Sequence, residues 1–172
     1  MILGIDPGSK KIGLAVLQIH PRLRVYKSRV LPVKNLTQLG GWIEEASLVV
    51  LERPVLKGLL TKGSRNKART PEGAQYLYDM AALNLIYVQI RQMVIERGVP
   101  LLEPVGYYSG YKGERTWLHE LTGLRRPTRS DVRAVIKSRF DLPGSLQEDL
   151  LDATGLALYG MMIQREEAPI PA

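Results

Sequence analysis

Residues 4–16 read GIDPGSKKIGLAV and raise the question of why an aspartate ends an apolar run. It ends one apolar run on Asp6, turns through Pro7 and Gly8, and enters a second apolar run. Two apolar runs joined by so short a turn predict neighbouring antiparallel strands. The simplest interpretation of Asp6 is an aspartate that caps the Pro-Gly turn, and the rest of the chain must decide whether it does more.

Further apolar runs extend this pair into a mixed sheet. The run LRVYKSRVLPV predicts a third strand of a meander, and SLVVLERP and VPLLEP predict two more strands that are reached by crossovers. Helices are expected within NLTQLGGWIEEAS, from Thr70 to about Arg97, from Thr128, and from about residue 146. The prediction is an α/β fold whose five-stranded sheet combines an antiparallel meander with parallel strands and is flanked by helices. A single domain is expected over residues 1–165, with a flexible tail at 166–172.

Composition excludes several kinds of site. The 172 residues suit one domain, and the absence of cysteine excludes disulfides, thiolate nucleophiles and Cys-based zinc sites. No run has the pattern of a signal peptide or the length of a membrane span. We therefore expect a soluble, intracellular protein with no membrane partner.

The charge indicates a polyanionic partner. The formal net charge is +7, with a pI of about 9.7, and much of it is clustered. A basic surface on a small protein is typical of nucleic-acid binding, although a solubilising role is the alternative. Residues 57–70 read as a basic loop, and a second basic cluster covers 125–139. The residues predicted to contact nucleic acid are Lys57, Lys62, Arg65, Lys67, Arg69, Lys112, Arg115, Arg129, Arg133 and Lys137.

Four acids occupy positions that core formation does not explain. Asp6 and Glu52 end predicted strands, and Asp149 and Asp152 lie three residues apart on one face of the last predicted helix. Macrodipole complementarity is the alternative explanation for acids in a first helical turn, and it suffices for Glu148. Clustered carboxylates repel each other unless cations hold them, and their oxygens suit Mg²⁺ or Mn²⁺. Two such ions on three or four carboxylates are the usual arrangement for phosphodiester hydrolysis.

Three motifs carry a resemblance to a known family. The segments GIDPGSKKIGLAV, LVVLERP and EDLLDATGLALYG resemble, in order and separation, the acidic motifs of the RuvC-type Holliday junction resolvases, a branch of the RNase H-like nucleases. The segments PEGAQYLYDMAALNLIYVQI, VPLLEP and LTGLRRPTRSDVRAVIKSRFDLP resemble the family's long helix, next strand and penultimate helix, so the resemblance covers nearly the whole chain.

The resemblance implies an RNase H-like fold and a catalytic, metal-binding set of Asp6, Glu52, Asp149 and Asp152. It implies two Mg²⁺ ions per active site, for which Mn²⁺ substitutes, and no nucleotide cofactor. It also implies a homodimer that cuts both strands of a four-way DNA junction with paired symmetric nicks, in recombination and repair. The expected location is the cytoplasm of a bacterium, or of the host of a phage. Arg129 matches a basic residue of the family, whereas its catalytic-side lysine has two candidates, Lys112 and Arg115. The loop after Glu52 carries leucines where the family usually has an aromatic wedge.

Several alternatives stay open at this stage. One alternative is a nuclease of the same fold that acts on RNA or on an RNA–DNA hybrid. KKIGLAV resembles the opening strand of such nucleases that act on ribosomal RNA precursors, but their later motifs are not found in this sequence. Another alternative is a non-catalytic branched-DNA-binding protein. An actin-like phosphotransferase needs more than 172 residues. Aromatic residues near 107–117 either stack on bases or pack a small subdomain or the dimer interface. Apolar positions of the long helix serve the core or a dimer interface; they are Leu77, Ala81, Leu85, Val88 and Val94.

Overall fold

The computed structural model describes residues 1–19, 22–54, 70–105, 116–125, 127–140 and 148–167. Its sheet has five strands: β1 Ile2–Pro7, β2 Lys11–Gln18, β3 Arg24–Pro32, β4 Leu48–Leu51 and β5 Leu101–Leu102. Their order is β3-β2-β1-β4-β5. The pairs β1–β2 and β2–β3 are antiparallel, and the pairs β1–β4 and β4–β5 are parallel. The predicted mixed sheet, a meander extended by parallel strands, is confirmed.

Five α-helices and one 3₁₀ helix accompany the sheet in the described ranges. A 3₁₀ helix, Val33–Leu39, leads into α1, Gly40–Glu44, where one short helix was predicted. The others are α2 Pro71–Glu96, α3 Trp117–Thr122, α4 Arg129–Arg139 and α5 Glu148–Glu167. Helix α3 lies in a segment to which the sequence assigned no element. None of these helices is both long and apolar enough to cross a bilayer.

The predicted helix starts of α2 and α4 are confirmed by their caps. The Thr70 hydroxyl accepts a hydrogen bond from the Gly73 amide at 3.1 Å, with Pro71 as the first helical residue. The Thr128 hydroxyl likewise accepts from the Asp131 amide at 3.3 Å, and the Asp131 carboxylate accepts from the Thr128 amide. The predicted start of α5 near residue 146 and residues 168–172 of the predicted tail lie outside the described residues. Helix α5 itself extends to Glu167.

The sheet is covered on both faces, so the chain has three layers. Helices α3, α4 and α5 cover one face and form a core with Ile2, Leu17 and Val50. Helices α1 and α2 cover the other face, and α2 contributes Ile86, Ile90 and Val94 to that core. These three α2 residues are spaced by four, which is the spacing of one helical face.

The structure distinguishes between the apolar α2 positions for which the sequence left two uses open. Val94 is buried as expected, but the side chains of Leu85 and Val88 are 60% and 55% exposed, and Ala81 is also exposed. A helix that touches the sheet along one narrow line turns its other apolar residues outward. These exposed positions are therefore accessible for their other predicted use, an interface with another chain.

Glycines set the distance between α5 and the sheet. A Cβ atom on Gly4 would lie 2.0 Å from the Ala153 carbonyl oxygen, and one on Gly13 would lie 2.1 Å from the Asp149 carbonyl oxygen. On the helix side, a Cβ on Gly160 would lie 2.4 Å from a methyl group of Val50. The backbone of α5 thus rests directly on β1 and β2, and this contact brings its first turns to the edge where β1 ends.

Candidate active site

The strand register places Asp6 and Glu52 side by side. Asp6 lies at the end of β1 opposite Gly13 of β2. On the other side of β1, Ile5 pairs with Leu51 of β4, and the Glu52 amide donates to the Ile5 carbonyl at 3.1 Å. Since β1 and β4 are parallel, both strands end at the same edge of the sheet, and the side chains of Asp6 and Glu52 lie there together.

Helix α5 brings two further carboxylates to the same edge. Asp149 lies over Gly13, where the helix backbone touches β2, and Asp152 follows one turn later. The side chains of Asp149 and Asp152 are 24% and 14% exposed. Both repel Asp6 electrostatically, and Asp152 also repels Glu52. The structure therefore gathers all four predicted acids at one place.

Burial and crowding raise the pKa values of three of the four carboxylates. Burial, followed by the charges of Glu52, Asp152 and Asp149, raises the pKa of Asp6 well above its ordinary value. Burial raises the pKa of Glu52, against hydrogen bonds from Trp117 and Asp6 that lower it. Burial also raises the pKa of Asp152, against the positive charges of Arg129 and Arg133. Asp6 therefore keeps a proton more readily than a solvent-exposed aspartate does.

Groups of the chain itself engage the other carboxylates. Asp149 Oδ2 lies 2.5 Å from Lys11 Nζ, and Asp152 Oδ2 lies 3.8 Å from Arg129 Nη2. Glu52 Oε1 lies 3.4 Å from the indole Nε1 of Trp117, a side chain that is only 2% exposed. The site is therefore a set of acids with cations and a buried N–H group around it.

The donor set fits a hard divalent cation in its chemistry. As the side chains stand, no group of three or more acidic or histidine side chains in the described ranges is arranged to bind one metal ion. Four carboxylates nevertheless share one edge, and three of them have a raised pKa. Carboxylate oxygens are the ligands that Mg²⁺ and Mn²⁺ prefer, and a cation among them would relieve the repulsion on Asp6.

Basic residues of α4 border this set. Arg129 Nη1 lies 3.5 Å from Glu148 Oε2, and Arg133 makes an ion pair with the same carboxylate. Hydrogen bonding from Arg133 lowers the pKa of Glu148. Lys137 is exposed one turn further along α4. The predicted basic residues that lie outside the described ranges are Lys57, Lys62, Arg65, Lys67, Arg69, Lys112 and Arg115.

Two residues of the site escaped the sequence reasoning. Lys11 was read only as part of a strand, yet the alternation of β2 puts Lys11, Gly13 and Ala15 on one face. Small residues on one face signal close approach by a helix, and that signal would have placed Lys11 beside α5. Trp117 was weighed as a base-stacking residue or a packing residue, and the structure shows it packed in the core against Gly155.

Comparison with known proteins gives a consistent picture. No family model matches the chain. The crossover junction endodeoxyribonuclease RuvC of Delftia acidovorans is 24% identical over 168 residues, which cover 91% of this chain and 81% of that protein. A structure of T. thermophilus RuvC in complex with a Holliday junction substrate matches with a TM-score of 0.62 and 18% identity, over 96% of this chain and 94% of that one.

The chain has the fold of the RuvC-type resolvases. A second structure, of Thermus thermophilus RuvC, matches with a TM-score of 0.59 at 15% identity, over 96% of this chain and 95% of that one. The likeness extends over nearly the whole chain in each case, as the motifs predicted. The expected resemblance to RuvC-type resolvases and the expected RNase H-like fold are both confirmed.

Proposed function

We propose that this chain is a metal-dependent, structure-selective DNA endonuclease that resolves four-way junctions by paired symmetric nicks. The observation that carries the proposal is the meeting of Asp6, Glu52, Asp149 and Asp152 at one edge of the sheet. A protein that only bound phosphate would gain nothing from these acids, because they repel it.

The related proteins support this enzyme class. The curated relative is a crossover junction endodeoxyribonuclease, which is the class that the motifs predict. One structural neighbour holds a Holliday junction substrate. A branched DNA is therefore the substrate that we assign to this chain.

Asp6, Glu52, Asp149 and Asp152 would hold the metal, which we assign as Mg²⁺ or Mn²⁺ with two ions in each active site. When bound, such ions supply activation of the attacking water and stabilisation of charge on the leaving oxygen. The chain supplies the rest. Asp6 lies between the acids of β4 and α5, while Arg129 and Arg133 offset negative charge where a phosphate must approach.

The basic residues would hold the DNA backbone. Phosphate contacts by lysine and arginine supply most of the salt-dependent affinity for DNA. Lys137 extends the cations of α4 along one exposed side of the helix. We assign phosphate contacts to the same ten predicted residues, seven of which lie outside the described ranges.

We also propose a homodimer, since paired nicks need two active sites. Leu85, Val88 and Tyr78 of α2 are mostly exposed, and Ile95 is about half exposed. Val88 also lines an open groove of about 420 Å³ between α2 and the 3₁₀ helix. An exposed apolar stripe on a long helix is typical of an interface between protein chains.

A panel of end-labelled substrates tests the proposed function. It comprises a synthetic four-way DNA junction, a linear duplex and an RNA–DNA hybrid, each with Mg²⁺ or Mn²⁺. The proposal predicts symmetric nicks on the junction and none on the duplex. Cutting of the hybrid alone would move the chain to the nucleases that act on RNA, and junction binding without cutting would favour a binding protein.

A further inference from the structure

Lys11 contacts the acidic set from the strand side. Its Nζ lies 2.5 Å from Asp149 Oδ2, and the hydrogen bond and charge of Asp149 raise the pKa of Lys11. Glu148 and Asp6 add to this attraction at longer range. A lysine ammonium therefore occupies one oxygen of a carboxylate that our proposed function assigns to the metal.

The fold builds this contact through backbone elements. Lys11 opens β2, and Gly13 lies on the same face two residues later. The α5 backbone touches Gly13 at Asp149, where a Cβ atom would lie only 2.1 Å from the Asp149 carbonyl oxygen. A strand and a helix locked together at this point hold the ammonium and the carboxylate within reach of each other.

We propose that Lys11 competes with the divalent cation for Asp149, and so lowers the affinity of the site for metal. The inference rests on the proposed function, because it takes Asp149 as a metal ligand. Two cations beside one carboxylate repel each other, so the Lys11 ammonium at Asp149 disfavours a divalent cation there. A metal ion bound at Asp149 should in turn weaken the contact with Lys11.

The competition is of limited size because Lys11 is accessible to water. Its side chain is 57% exposed, and ion pairs at exposed positions are weak and screened by salt. Removing the ammonium should therefore raise metal affinity by about two- to fivefold at low salt. The gain should shrink at high salt, where the competing ion pair is already weakened.

Titration of the full-length chain with Mn²⁺, followed by electron paramagnetic resonance of the free ion, tests this inference without any cleavage reaction. Lys11→Met removes the ammonium and keeps the length of the side chain, whereas Lys11→Arg keeps the charge. Lys10→Met is the matched control, since it removes one neighbouring charge at an exposed position. We expect tighter Mn²⁺ binding in Lys11→Met and little change in Lys11→Arg or Lys10→Met, with the gain reduced at high salt.

Two results would overturn the inference. Equal gains in Lys11→Met and Lys10→Met would mean that general charge, and not the contact with Asp149, sets the affinity. Weaker binding in Lys11→Met would mean that Lys11 holds Asp149 in place for the metal. Asp6→Asn distinguishes these results from a failure of the proposed function. If Asp6→Asn binds Mn²⁺ as the unaltered chain does, or if the unaltered chain binds no Mn²⁺, the acids are not a metal site. Both proposals then fail.

Discussion

At the scale of single residues, the site is governed by carboxylates held close together away from water. Asp6 has a strongly raised pKa because it is buried beside Glu52 and faces both acids of α5. Such a group favours either a proton or a cation beside it. The ionised carboxylates of the site therefore lower the free energy of unfolding when no cation lies among them.

A stability measurement should reveal this cost. The raised pKa means that the folded chain binds the Asp6 proton more tightly than the unfolded chain does. This contribution to stability is complete below the ordinary pKa of 3.8 and is lost as pH rises through the raised value. Asp6→Asn does not titrate, so with a chelator present its Tm should exceed that of the unaltered chain at neutral pH by about 2–4 °C or more.

The difference in Tm should shrink towards pH 4, as thermal melts at several pH values would show. Arg133 lowers the pKa of Glu148, and Thr128 lowers the pKa of Asp131. Both groups titrate in the unaltered chain and in the variant, so their contributions to the pH dependence of Tm cancel in the difference. A difference that does not change with pH, or a less stable variant, would contradict the account of Asp6.

Trp117 should act as a positioning residue for Glu52. Its N–H group lies 3.4 Å from Glu52 Oε1 and lowers the pKa of that carboxyl. Trp117→Phe keeps most of the packing and removes the donor, so the acid limb of the pH–rate profile for junction cleavage should move to higher pH. Removing such a supporting contact should also cost about tenfold in rate.

The control is Trp42→Phe, because Trp42 lies under the Lys27 ammonium at 4.4 Å and packs, partly buried, against the core on the other face of the sheet. It should leave the pH profile in place. Identical profiles for the unaltered chain and Trp117→Phe would remove Trp117 from the site.

At the scale of elements, the contact of α5 with the sheet positions half of the acids. The helix lies against β1 and β2 at Gly4 and Gly13, with backbone atoms where a side chain would otherwise be. Asp149 and Asp152 owe their position to this contact, and any displacement of the helix moves them away from Asp6.

Gly13→Ala should therefore damage both the fold and the site. The added Cβ would lie 2.1 Å from the Asp149 carbonyl oxygen, so the helix must shift. Overpacking of this kind costs about 1–3 kcal/mol, and we expect a lower Tm together with weaker Mn²⁺ binding.

Gly41→Ala in α1 is the matched control, since nothing lies within 4 Å of its added Cβ. It should leave Mn²⁺ binding unchanged and keep or raise the Tm, because alanine favours helix. If Gly13→Ala behaved like this control, the close approach of α5 would not position the acids.

Local signals predicted most of the elements. Apolar runs bounded by turns gave all five strands, and the Thr70–Pro71 start of α2 is visible in the residues alone. Helix α3 was missed because its six residues are too few for a periodic pattern and its neighbouring segment mixes aromatic and basic residues. The inward face of α2 was only half predicted, since apolar residues lie on more than one side of it.

At the scale of the whole molecule, the exposed face of α2 should hold two chains together. Leu85→Glu places a charge in the apolar stripe and should shift the chain from dimer to monomer in light scattering after size-exclusion chromatography. Ser138→Glu, on the exposed side of α4, adds the same charge elsewhere and should leave the dimer intact. A Leu85→Glu variant that stays dimeric would place the interface on another surface.

The convergence of the acids was predictable, whereas their surroundings were not. Parallel strands end at the same edge, so Asp6 and Glu52 had to meet once both strands were recognised. The partners Lys11 and Trp117 depend on how α5 and α3 cross the sheet, which no local pattern determines. The four acids could therefore be predicted from motifs at strand ends and at a helix start, whereas the contacts of Lys11 and Trp117 required the tertiary structure.

Cleavage and binding of a four-way DNA junction should be measured side by side, with Mg²⁺, for the unaltered chain and for Asp6→Asn. The gathered acids should make Asp6 indispensable for cutting, while the basic surface keeps the junction bound. We predict symmetric nicks from the unaltered chain, none from Asp6→Asn, and similar junction affinity for both. Cleavage by Asp6→Asn at the rate of the unaltered chain would contradict the assignment of this edge of the sheet as the active site.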